Sequence, residues 1–356
     1  MTFARQDTPA MLDSLRSHRI VLASRPEGEP VAANFDLRST PLPALGEGDV
    51  LLKTRYVSID ICARGTMDAN RHDGDSMAIG DVMGSAAICE VLESRAQAIK
   101  PGEFVLAYVG WQTHAVVPGR ELKRKLYPKV APISTGLGVY GLYGYIAYCA
   151  LDEIVRPQAG ETLVIPSAAG PTGATAAQIA KQRGARVVGI TSGADKVAYC
   201  QALGMDAVLD RLSPDFAEAL VRACPQGVDG LLENGQRAVH RAVLPLMNEL
   251  GRVAICALPT DAQAAPGQGL SDYLPTLLEQ IFVKRLSLRG FTERDVLRVH
   301  PQQLVDPRFV ADMGGWLREG QMQYREDIVH GLEQAPAALN RLLRGDNFGK
   351  LLVALD

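Results

Sequence analysis

Residues 163–184 read as a buried strand, a glycine turn and a helix: LVIP, then Ser167-Ala168-Ala169-Gly170-Pro171-Thr172-Gly173-Ala174, then TAAQIAKQRG. This order restricts the fold more than any other stretch, because it is the context in which a dinucleotide fingerprint operates. Gly170 lets the backbone approach a pyrophosphate, and Gly173 permits close packing of helix on strand. Pro171 and Thr172 open a helix whose N-terminus offers unpaired N–H groups at the positive end of its dipole. A diphosphate is the natural ligand. Ala168 stands at the first fingerprint position in place of Gly, and a glycine turn can also be purely structural, so the flanking strand and helix carry the reading.

The next strand, RVVGIT, ends where an NAD-binding chain places Asp or Glu on the ribose hydroxyls. Here the residues are Thr191-Ser192-Gly193-Ala194, then Asp195 and Lys196. Small uncharged side chains leave room for a 2′-phosphate. Lys196 can add a positive charge, and Arg211, after the following strand, a planar bidentate one. NADPH is therefore expected over NADH. The plain alternatives are a solvated helix lysine and a surface arginine.

Around this unit the alternation continues. RVVGIT is followed by a helical DKVAYCQALG, and DAVLD, VDGLLEN and RVAICAL are three more short apolar runs. Strands alternating with helices imply a doubly wound parallel sheet covered on both faces. From Ile20 to Val117 the pattern differs: β-rich runs such as VLLKTRYVSI and FVLAYVGWQTHAVV lie between Gly, Pro and acidic turns, as in a mainly-β domain. After LSLRGF comes an amphipathic helix near FVADMGGWLREG, and the tail is expected to rejoin the β-rich part. QAAPGQG reads as a loop.

A chain of 356 residues, 47% hydrophobic and 22% charged, is that of a globular protein of about two domains. A net charge of −3 and the lack of Lys/Arg runs interleaved with aromatics argue against a nucleic-acid partner. No run stays apolar for the roughly 18 residues of a membrane span, and the N-terminus carries charges where a secretory signal is apolar. A cytoplasmic location is the expectation. Six cysteines at wide intervals lack zinc-site spacing and read as reduced, mostly buried thiols. The six histidines are too dispersed to form a ligand set, so no metal is expected.

Several signatures in order resemble one family: SRPEGEPVAANFDL, PLPALGEGDVLLKTRYVSID, KPGEFVLAYVGWQTHAVV, GLGVYGLYGYIAY, AAGPTGATAAQIAK with RVVGITSGADK, and the tail EGQMQYREDIVHGLEQAPAALNRLLRGDNFGKLLVALD. They are similar to the zinc-independent medium-chain dehydrogenases/reductases, in the branch of prostaglandin/leukotriene, plant alkenal and bacterial curcumin-type reductases. The resemblance implies a GroES-like domain from residues 1–136 and 301–356, a Rossmann domain over 137–300, a homodimer, and NADPH-dependent reduction of the C=C bond of an α,β-unsaturated carbonyl compound. It extends cofactor contacts to Asn234, Cys256, Ala257, Leu258, Phe291, Thr292 and Asn347. Asn234 can equally be a strand-end turn residue, and Asn347 a loop-holding one.

The resemblance breaks near the expected substrate. Cys62 replaces a family tyrosine, Ala262 a second one, Ile146 a threonine, Gly235-Gln236 a Val-Gly-Gly, and Tyr143 a proline. Cys62, Tyr143 and Tyr273 are the pocket candidates, although a packed aromatic is the plainer reading of either tyrosine, and no base beside Cys62 marks it as a nucleophile. Ene reduction needs hydride delivery, support of an enolate oxygen and a proton, which water, the ribose 2′-hydroxyl or one of Tyr56, Tyr140, Tyr143, Tyr145 and Tyr273 can supply. No catalytic residue is assigned. Two alternatives stand beside reduction of a small-molecule enone: an NADPH-binding biosynthetic enzyme of altered chemistry, such as a hydride-triggered cyclisation, and a non-catalytic cofactor-binding redox sensor.

Overall fold

The computed structural model describes residues 15–69, 76–234, 237–257, 273–291 and 306–355. The chain forms two compact units, Met1–Leu137 with Glu326–Asp356, and Gly138–Arg325.

The first unit opens with β1 (Arg16–Leu22), β2 (Phe35–Pro41) and β3 (Asp49–Ser58). It continues with a short helix α1 (Cys62–Thr66), β4 (Ala87–Ser94), β5 (Phe104–Ala107), β6 (His114–Pro118) and β7 (Arg124–Leu126). β3 alternates in the period of a strand buried on both faces. Val50 and Leu52 pack with Cys89, Val91 and Val105, while Val57 and then Ile59 pack with Trp111, Met67 and Met83. Shifts of register at Leu51/Leu52 and Thr54/Tyr56 bend β3 between these two cores.

The second unit begins with α2 (Leu142–Cys149), β8 (Thr162–Ile165), α3 (Pro171–Gln182), β9 (Arg186–Thr191) and α4 (Ala194–Ala202). Then follow β10 (Ala207–Asp210), α5 (Phe216–Ala223), β11 (Val228–Glu233), α6 (Arg237–Val243), β12 (Met247–Ile255), α7 (Tyr273–Lys284), β13 (Ser287–Gly290) and α8 (Pro307–Arg318). The six strands are parallel and lie in the order β10-β9-β8-β11-β12-β13. Numbered within the unit this is 3-2-1-4-5-6, the doubly wound Rossmann order. Val164, Val188, Leu231 and Val253, one from each of four neighbouring strands, form its core with Leu220 and Val243 of the covering helices.

The tail supplies β14 (Glu326–His330), α9 (Ala335–Arg344) and β15 (Lys350–Ala354). β15 lies between parallel β14 and antiparallel β3, completing a sheet ordered β14-β15-β3-β4-β5-β7, with β6 paired to β3. This is the mainly-β, GroES-like part, and the fold class is as expected.

The return point differs from the sequence reading, which placed it at residue 301. Residues 306–325 stay with the second unit because α8 is held there by packing. Phe309 is fully buried between Tyr145 and Tyr148, whose ring centroids lie 5.3 and 5.6 Å away, a burial worth about 2–3 kcal/mol. Tyr148 Oη donates to Asp312 Oδ2 at 2.7 Å, and Gln178 Nε2 to Gln323 O at 2.9 Å. Only from Glu326 does the backbone join the other sheet. Among the described residues no helix is long and apolar enough to cross a membrane.

Candidate dinucleotide site

In a 3-2-1-4-5-6 sheet the crevice opens at the carboxyl ends of strands 1 and 4, where the chain order reverses. Those strands are β8 and β11, and the glycine turn leaves the first of them. Ser167 takes a left-handed conformation (φ 49°), a strained setting for a residue with a side chain. It allows the chain to fold back so that Gly170 N–H donates to Ser167 O at 2.9 Å and Ala168 N–H to Ile190 O at 3.0 Å. Ala168 therefore fits the first fingerprint position: the left-handed step falls one residue earlier, and its small side chain is fully buried.

Gly173 is the residue the geometry demands. A Cβ there would stand 2.6 Å from Ser167 O and 2.8 Å from Ala168 Cα, both backbone atoms. At the start of α3, Gly170 is extended, Pro171 removes one N–H, and among the described residues no side chain caps the end. The first intrahelical bond runs from Ala174 N–H to Gly170 O, which leaves the helix terminus directed out of the turn.

Across the switch point, Asn234 follows β11. Its carbonyl accepts from Ser167 Oγ at 3.4 Å, and its side-chain Oδ1 is buried without a hydrogen-bond partner among the described residues. An orphaned buried acceptor costs about 1–3 kcal/mol, which a ligand donor would recover. Cys256 and Ala257 come to the same place, since both backbone N–H groups turn to Glu233 O, at 2.8 and 3.4 Å. Phe291 is buried after β13, its N–H on Ile255 O at 3.0 Å. The ends of four neighbouring strands thus bring together the glycine turn, Asn234, Cys256, Ala257 and Phe291.

Tyr143, in the first turn of α2, joins this group through its backbone, whose carbonyl accepts from Thr172 Oγ1 at 3.3 Å. Two other tyrosines are committed to packing. Tyr140 Oη donates to Val310 O at 3.2 Å, and Tyr145 is buried against Phe309, with desolvation holding its phenol well above the ordinary range. Tyr56 lies in β3, opposite Ala354 and Ile88. Burial likewise pushes the Cys256 thiol up to about 12, with the Glu233 carboxylate and Cys149 acting in the same sense, which favours its neutral form.

Lys196 and Arg211 are both half-buried and follow adjacent strands, β9 and β10; Arg211 N–H donates to Thr191 O at 2.9 Å. In the first unit, Cys62 is exposed on α1, and Asn347 Nδ2 donates to Gly349 O at 2.8 Å, holding the turn before β15. Leu258, Thr292, Ala262, Gly235 and Gln236 lie outside the described residues, as does the side chain of Tyr273. Sequence reasoning missed a buried pair, Glu233 with His240 Nδ1 at 2.7 Å, which sits directly before Asn234. No periodic signal connects a strand-end Glu with a His seven positions on. Among the described residues no three His, Cys, Asp or Glu side chains group as metal ligands.

Two family models match: the N-terminal domain of oxidoreductase over residues 18–124, and the zinc-binding dehydrogenase model over residues 171–304. The chain is 40% identical to the NADPH-dependent curcumin reductase of Escherichia coli K12, over 95% of this chain and 96% of that one. It is 34% identical to prostaglandin reductase 1 of Rattus norvegicus, over 92% and 95%. The crystal structure of CurA from Vibrio vulnificus in complex with NADPH superposes with a TM-score of 0.85 at 36% identity, covering 95% of this chain and 99% of that one. A Rossmann unit of this order, interrupting a GroES-like unit, defines the medium-chain dehydrogenase/reductase class. Within it, the chain belongs to the zinc-independent branch of curcumin and prostaglandin reductases.

Proposed function

We propose that the protein is an NADPH-dependent reductase of the C=C bond of α,β-unsaturated carbonyl compounds. The observation that carries this is the α3 terminus at the switch point, uncapped by any described side chain, with Asn234 tied to the glycine turn through Ser167 and its Oδ1 left without a partner among the described residues. These groups fit a dinucleotide: backbone N–H groups of the Gly170–Gly173 turn suit its pyrophosphate, Lys196 and Arg211 its 2′-phosphate, and Asn234 Oδ1 a donor beyond the phosphates. Cys256, Ala257, Leu258, Phe291, Thr292 and Asn347 are assigned to it from the family correspondence. When bound, the dinucleotide supplies hydride to the β-carbon of the enone. The protein's own part is to orient that carbon, exclude water and support the developing enolate oxygen, while a proton completes the α-carbon. Of the pocket candidates Cys62, Tyr143 and Tyr273, Tyr143 has the added support of its position beside Thr172.

The test is a fluorescence titration with NADPH and then NADH, followed by oxidation of bound NADPH on adding medium-chain enones and enals. Tight, NADPH-selective binding with formation of the saturated ketone is expected. Binding without turnover would favour the sensor, and a cyclised product the altered chemistry.

We further propose a cytoplasmic homodimer. β13 is an edge of its sheet among the described strands, and the adjacent α7 exposes Leu274, Leu278, Val283 and Phe282, the last 83% accessible. Light scattering should give twice the chain mass, and Phe282→Asp should reduce it to one.

A further inference from the structure

A phosphate cradle needs two loops held in one conformation, and Lys196 and Arg211 stand on different ones. We infer that Asp210 is the positioning residue of that cradle and a determinant of selectivity for NADPH over NADH; the inference rests on the NADPH reading above. Asp210 closes β10, in register with Thr191 at the end of β9. Its Oδ2 accepts from Gly193 N–H at 3.1 Å and its Oδ1 from Leu212 N–H at 2.9 Å, while Arg211 N–H donates to Thr191 O at 2.9 Å. The backbone is fixed at Arg211 and at the residue after it. On the other loop, the bonded N–H is that of Gly193, the left-handed residue (φ 86°) from which α4 and Lys196 start.

An acid at this position is at first sight misplaced, since it would repel a phosphate dianion. Here both carboxylate oxygens are taken up by backbone donors, and a charged acceptor binds such N–H groups more strongly than a neutral one. In an NAD-binding Rossmann unit the acid ends the second strand and faces the ribose. In this chain the acid ends the third strand and faces backbone, so the charge organises the loops instead of competing for the sugar.

The experiment measures NADPH and NADH dissociation constants by fluorescence titration for the wild-type protein, Asp210→Ala, Arg211→Ala and the double variant. Asp210→Asn serves as a milder change that keeps one acceptor oxygen. Asp210→Ala should weaken NADPH about tenfold and leave NADH within about twofold. Asp210→Asn should fall between it and wild type. In the Arg211→Ala background the Asp210→Ala effect should shrink to a few-fold, because the two act on one contact. Equal weakening of both nucleotides, or full additivity with Arg211→Ala, would assign Asp210 a merely structural role. Wild-type preference for NADPH with unchanged Asp210→Ala and Asp210→Asn proteins overturns this inference alone. A wild-type protein that does not distinguish the two nucleotides overturns the NADPH reading and this inference with it.

Discussion

Lys350, in the last strand, donates from Nζ to Asp60 Oδ1 and to Ile59 O, both at 2.8 Å, across 290 positions of chain. The Lys350 side chain is 3% exposed and that of Asp60 17%, and Ser58 Oγ adds a 2.6 Å bond to the same oxygen. This buried contact fixes the segment that leads into α1 and Cys62. Lys350→Met removes the cation and leaves the largely buried Asp60 carboxylate without its counter-charge, at a cost of about 3 kcal/mol. A thermal melt should show the first unit's transition lowered by roughly 6–12 °C. A shift below about 1 °C would mean the pair is not a structural tie.

Gly173→Ala forces a methyl against Ser167 O and Ala168 Cα, which are main chain and can yield only by opening the turn. NADPH affinity should fall at least about tenfold, with stability lower by about 1–3 kcal/mol. Gly170→Ala meets one atom at 3.2 Å from a φ of −76° and should be the milder change. Parallel titrations and melts of the two variants test the contrast, and an equal loss in both would refute it.

Asn234→Ala separates binding from folding. Its Oδ1 has no partner among the described residues, so the folded state loses little, within about 0.5 kcal/mol, whereas NADPH affinity should drop about tenfold. Unchanged affinity with a large fall in melting temperature would make Asn234 a turn residue only.

Thiol chemistry gives a prediction in pH. Burial pushes Cys89, Cys149, Cys200 and Cys256 up to about 12 and Cys224 to about 11, while Cys62 is exposed. Native protein at pH 8 should therefore react with Ellman's reagent at Cys62 alone, as read by peptide mass spectrometry. The unfolded chain releases these protons near the ordinary thiol value of 9.0, and the folded chain retains them until well above it. Their contribution to stability is complete below about pH 9 and declines as pH rises from there through 11 to 12. Rapid modification of Cys256 at pH 8 would contradict the burial.

What the sequence made legible was local. The glycine turn, the absent ribose acid and the alternation of strands with helices each sit within some 30 residues, and they named the Rossmann unit and its cofactor side. Ser167 was not legible, because its left-handed backbone follows from the packing of α3 on β8 and not from its chemistry. Asp210 was not singled out in the apolar run DAVLD, since its two donors belong to loops that only register brings together. The division of compact units at Glu326 was not legible for the same reason: nothing in FVADMGGWLREG announces that Phe309 fills a slot between Tyr145 and Tyr148, more than 150 positions earlier.

The position of β15 has a consequence for biogenesis. A ribosome delivers Lys350–Ala354 after the whole of the second unit, yet this strand lies inside the first unit's sheet, between β14 and β3. The Rossmann unit, later in sequence, can close while the earlier β-rich segment still waits for its interior strand. Translation that stops short of residue 350 would release a chain with an intact nucleotide fold and an open, sticky β-edge at β3, the kind of intermediate that quality control is built to find.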